Sequence, residues 1–122
     1  MVRIAVASTD GKLVNQHFGK ADRFYILEAD ENTAEFILAE ERNTVPVCSN
    51  GDHEEGRMRR AAKGLSDCGY VLVSRIGMRA RNELETWGLK VYEIPGMIDE
   101  SVDKLIRYMQ VQKLLDGTQC DK

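Results

Sequence analysis

Residues 69–74, GYVLVS, run apolar without interruption between a glycine and polar residues, the pattern of a strand covered on both faces. Such a strand needs helices above and below it, which restricts the chain to a layered α/β arrangement. A length of 122 residues suggests one domain able to bury its core without disulfides or a structural metal.

The neighbouring segments fit that restriction. Val2, Ile4 and Val6, with Ala5 and Ala7 between them, read as a buried first strand; FYILEA at 24–29 and EFILAEER at 35–42, joined by a turn at ADENT, give the second and third. In the third, Phe36 and Leu38 mark the alternating apolar face. NTVPVCSNGD is a loop by its proline, glycine and asparagines. A helix is expected to start near Asp52, with Glu55 three residues on as in a capping box, and with Met58, Ala61, Ala62 and Leu65 as its apolar stripe. A second helix over 78–87 ends at Gly88, LKVYEI at 89–94 is a strand stopped by Pro95-Gly96, and a last helix from about Asp99 places Val102, Leu105, Ile106 and Met109 on one face. Residues 1–115 are read as one α/β domain and 116–122 as a flexible tail.

The order is thus β-β-β-α-β-α-β-α. Short links in the first half imply antiparallel pairing; strand-helix-strand units in the second imply parallel pairing with right-handed crossovers. The result is a five-stranded mixed sheet of order 3-2-1-4-5, strand 2 antiparallel, in a three-layer α/β/α arrangement. In that order the loops after strands one, three, four and five open on one edge, and a crevice forms beside strands one and four. Those loops carry Asn15 to Gly19, Cys48 to His53, Arg75 to Met78 and Pro95 to Met97.

Charge sharpens the reading. Residues 57–81 hold Arg57, Arg59, Arg60, Lys63, Arg75, Arg79 and Arg81 against Asp67 alone, a net +6 within a chain of formal charge −3. A focused positive field concentrates anions even on an acidic protein; solvated helix faces explain Arg57, Arg59 and Arg60 equally well. The window has no interleaved aromatics and no evident reading helix, so nucleic acid is not expected. No apolar run is long enough for a bilayer and MVRIAVAS is unlike a secretory leader, which leads to the expectation of a cytoplasmic protein. Cys48, Cys68 and Cys120 are too widely spaced for a metal knuckle and odd in number for a disulfide framework. The first strand carries no acid, which argues against a two-metal nuclease.

Imidazole, thiolate, guanidinium and a helix start at one sheet edge suit an anionic metal species. IAVASTDGKLVNQHFGKADRFYI, PVC, and LSDCGYVLVSRIGMRARNELETWGLKVYE together resemble the nitrogenase iron-molybdenum cofactor biosynthesis family, which comprises the NifX and NafY cofactor-binding proteins and the C-terminal domain of NifB. The similarity spans residues 2–115, and VNQHFG is its most specific part. The resemblance implies a ribonuclease H-like fold and a non-enzymatic carrier or chaperone of iron-molybdenum cofactor, its iron-sulfur precursor or a related metal-sulfur cluster, working with nitrogenase or cofactor-assembly proteins. It implies His17 and Cys48 as cluster ligands, Asn15 and Gln16 as hydrogen-bonding partners of the cluster or of His17, Phe18 and Gly19 as shapers of the loop, and Arg75 and Arg79 as balancing charges. On residue chemistry alone His17 is equally a loop residue capping backbone groups, Cys48 equally a small buried hydrophobe, and the chain equally a protein-interaction or regulatory module. No CxxxCxxC motif of radical-SAM enzymes is present.

Overall fold

The computed structural model describes residues 1–44 and 55–120. In chain order the elements are β1 (Val2–Ala7), β2 (Leu13–Val14), a 3-10 turn (Phe18–Lys20), β3 (Arg23–Ala29), β4 (Phe36–Asn43), α1 (Glu55–Gly64), β5 (Tyr70–Val73), α2 (Met78–Thr86), β6 (Lys90–Glu93), β7 (Gly96–Met97) and α3 (Ile98–Cys120). Five strands form one mixed sheet of order β4-β3-β1-β5-β6. β3 runs antiparallel to β1 and β4, whereas β1, β5 and β6 are parallel to one another.

The alternation of each strand divides the core in two. Ala5, Ala7, Phe24, Ile26, Val71, Val73 and Val91 face Ala62 and Leu65 near α1 and Ala80 and Leu84 of α2. Ile4, Val6, Leu27, Ala29 and Leu72 face Val102, Leu105, Ile106 and Met109 of α3. Both faces of β1 and β5 are therefore covered, as an uninterrupted apolar run requires. Burying one such aliphatic side chain is worth about 1.5–3 kcal/mol.

α2 stops where its sequence says it should. Gly88 takes φ 85°, its N–H reaches Glu85 O at 2.9 Å, and Leu89 N–H reaches Leu84 O at 3.0 Å. This pair of bonds is a Schellman motif, and the buried Leu84 and Leu89 make its accompanying apolar contact. A side chain at Gly88 would be strained by about 1–2 kcal/mol in this left-handed conformation.

Two details differ from the sequence expectation, and a third falls outside the described residues. β4 is the sheet edge, and Ile37 and Leu38 are 59% and 56% exposed, so the alternation expected to bury Leu38 has no helix above it to complete the burial. α3 continues through Cys120 and so takes in residues 116–120; only Gly117 interrupts the helix-compatible sequence there. The expected helix start and capping box at Asp52 lie outside the described residues, as do His53 and Cys48.

Candidate functional site

The connection after β1 is built in two stages. First it makes a closed turn: the Asp10 carboxylate accepts the N–H groups of Lys12 and Leu13 at 2.9 and 3.1 Å, and these bonds hold its pKa below the ordinary carboxylate value. Gly11, at φ 75°, completes the turn, and a Cβ there would come within 3.1 Å of the Tyr25 ring. β2 then pairs with β7 in a two-stranded sheet.

In the second stage the chain returns to the end of β1 and is stitched on both sides. Gln16 N–H donates to Ala7 O at 3.4 Å, Ser74 N–H donates to Gln16 O at 3.0 Å, and Phe18 N–H donates to Arg75 O at 2.9 Å. His17 and Arg75 form a parallel bridge. Phe18 is buried against Phe24, ring centroids 5.9 Å apart, and anchors the turn that follows. Extended backbone sends successive side chains to opposite faces. With Phe18 anchored as the turn begins, His17 is left exposed while both of its neighbours are held.

His17 opens onto a cleft of about 600 Å³, lined also by Gly19, Lys20, Met58, Arg75, Ile76 and residues 77–80. α2 begins at this wall, and its N-cap Gly77 makes no side-chain capping bond. The N–H groups of a helix's first turn carry partial positive charge and suit an anion. Lys20, Arg75 and Arg79 add cationic groups, and no Asp or Glu lines the cleft among the described residues. The loop carrying Arg75 is itself braced: Ile76 N–H donates to Glu93 Oε2 at 2.8 Å. The site is thus an anion-attracting cleft with one imidazole at its mouth.

The sequence candidates separate accordingly. His17, Gly19, Arg75 and Arg79 come together at the cleft. Asn15 does not line it; its amide closes a loop instead, accepting from Thr9 N–H at 3.0 Å and donating to Thr9 Oγ1 at 2.9 Å. Phe18 serves the core, and Gln16 keeps its Oε1 buried with no hydrogen-bond partner among the described residues. Sequence reasoning missed Lys20 and Met58 as wall residues, whereas Ile76, Gly77 and Met78 belong to the Arg75–Met78 loop expected at this edge. Met58, on the apolar stripe of α1, packs half-buried against the core as expected and also lines the cleft. Gly77 before the α2 pattern was the one signal available for the anion-facing helix start.

Among the described residues no three His, Cys, Asp or Glu side chains converge as a metal site. Cys68 is buried, and burial together with neighbouring Asp67 pushes its thiol up to about 11, so it stays a neutral core residue. No helix among the described residues is long and apolar enough to cross a membrane.

Comparison with known proteins follows the same lines. The family model described as dinitrogenase iron-molybdenum cofactor matches residues 1–108. The NifB FeMo cofactor biosynthesis protein of Frankia alni is 37% identical over 108 residues, 86% of this chain and 21% of that protein. That of Chlorobaculum tepidum is 34% identical over 116 residues, 95% of this chain and 26% of that protein. The chain therefore spans about a quarter or less of these two relatives. Among solved structures, the apo form of the orange protein from Desulfovibrio gigas aligns with TM-score 0.53 at 26% identity, covering 96% of this chain and 89% of that one. A Thermotoga protein carrying a NifB name aligns with TM-score 0.58 at 22% identity, covering 86% and 87%, and shows the shared fold alone. With the match running from Met1 through the VNQHFG loop, both cleft arginines, α2, β6 and the start of α3, the chain belongs to the dinitrogenase iron-molybdenum cofactor family.

Proposed function

We propose that this chain binds and carries an anionic metal-sulfur cluster, the iron-molybdenum cofactor or its iron-sulfur precursor, during nitrogenase-type cofactor assembly. The observation that carries this reading is His17, pinned by backbone bonds on either side at the mouth of a cationic cleft with no carboxylate in its walls among the described residues. In this reading the imidazole ligates an iron of the cargo, while Arg75, Arg79, Lys20 and the start of α2 offset the cluster's negative charge. Cys48 is proposed as a second ligand on the resemblance alone. The names of the NifB relatives and of the family support the same cargo.

The role is non-enzymatic: the chain holds and hands over its cargo, and nitrogenase or cofactor-assembly proteins are its proposed partners in a cytoplasmic setting. The ribonuclease H-like architecture implied by the resemblance is supported by the order β4-β3-β1-β5-β6 with β3 antiparallel.

The test is anaerobic titration with isolated iron-molybdenum cofactor. His17→Ala is expected to weaken binding by about tenfold or more, the scale of one lost ligand or charge-assisted contact. Unchanged affinity in a folded variant would remove His17 from the role.

A further inference from the structure

The cleft is cationic in charge but largely apolar in substance, and the two properties together narrow what it accepts. Four residues bring cationic or imidazole groups: His17, Lys20, Arg75 and Arg79. Much of the remaining wall is Met58 from α1, with Ile76, Met78 and Ala80 from the α2 side. Met78 is 71% exposed, an unbranched apolar side chain held at the opening where a polar one would cost nothing in folding.

A hard oxyanion keeps strong hydrogen bonds to water. In this cleft it would exchange them for guanidinium and helix N–H donors on one part of the wall and for thioether and aliphatic carbon on the rest. Polar oxygens placed against apolar wall without a partner lose about 1–3 kcal/mol each. A sulfide-coordinated anion of the same charge is weakly hydrated and polarisable, so it gives up less and gains dispersion contact with the thioethers.

We infer that Met58 and Met78 are specificity-determining residues, which make the cleft select sulfide-coordinated metal anions over oxyanions of equal charge and shape. The inference rests on the carrier reading of the same site and names how that site discriminates. The cavity admits both kinds of anion by volume, so size is not the filter.

The experiment compares tetrathiomolybdate with molybdate, both tetrahedral dianions, by anaerobic equilibrium titration of the full chain at fixed ionic strength. The wild-type protein is expected to prefer the thioanion by about tenfold or more, from partial loss of oxyanion hydration. Met78→Gln, which preserves length and replaces the thioether by an amide, is expected to shrink that ratio at least about threefold, and Met58→Gln to act in the same direction. Circular dichroism checks folding; if Met58→Gln does not fold, exposed Met78 decides alone. Equal affinity for the two anions, or a ratio that both variants leave unchanged, overturns the selection while the carrier reading stands. Cofactor binding with neither small anion bound does the same. Failure of both anions and of the cofactor itself overturns the carrier reading and this inference with it.

Discussion

Two groups of arginines on this protein are used in opposite ways. At the junction of β1, β4 and the segment before β5, Arg3 meets Glu28 at 2.7 Å and Asp67 at 3.4 Å, and Arg42 meets Asp67 at 2.6 Å and Glu40 at 2.8 Å. Arg42 also donates to Gly64 O at 2.8 Å, tying the end of α1 to the sheet edge. At the cleft, Arg75 makes no ion pair among the described residues, and the nearby Glu93 carboxylate is taken up by the Ile76 N–H. Arginines that hold the fold are neutralised by acids, whereas the one beside His17 has no acid partner among the described residues. Net charge hides this division, because paired and unpaired cations count alike.

Breaking each side should therefore show in different measurements. The largest expected effect is that of His17→Ala on cofactor affinity, with thermal stability held within about 0.5 kcal/mol because the side chain is exposed. Next, Arg42→Ala should cost about 1 kcal/mol of stability in denaturant melts, since it removes a networked group and a helix-end contact, and should leave anion binding unaltered. Loss of binding in that variant would erase the division. Arg75→Ala should do the reverse: folding unchanged, affinity lowered about threefold at low salt and less at high salt, because screening weakens the interaction removed. A deficit independent of salt would mean Arg75 acts by shape.

The smallest effect concerns acid. Arg42, through its hydrogen bonds, lowers the Asp67 carboxyl from 3.8 to about 2. A carboxylate depressed in the folded state adds stability that is fully present above pH 3.8 and is lost as pH falls through about 2. Asp67→Asn should thus lower stability by no more than about 1 kcal/mol near neutrality, given the half-exposed side chain. The gap to wild type should close between pH 4 and 2; chemical melts across that interval would reveal a gap that persists, contrary to expectation.

The central sheet was legible in the sequence because covered strands impose continuous apolar runs and α3 imposes spacings of three and four. β2 and β7 were not, since two residues carry no period. The VNQHFG loop was legible as a candidate site, but not which of its residues face the cleft. That depends on the segment being extended and stitched between β1 and β5, which parts His17 from its neighbours in a way that a motif read as a string cannot show. Met58 packs against the core as its stripe implies, but helical periodicity does not show that the stripe also runs out over an opening.

The stitching of residues 16–18 also decides how the imidazole can be withdrawn. Three main-chain bonds hold that segment, each worth about 0.5–1.5 kcal/mol net, and none of them joins the sheet's own strands to one another. Because Phe18 belongs to the same segment and is buried against Phe24, peeling it away would also cost the core that contact, so movement of the imidazole is coupled to the packing beneath it.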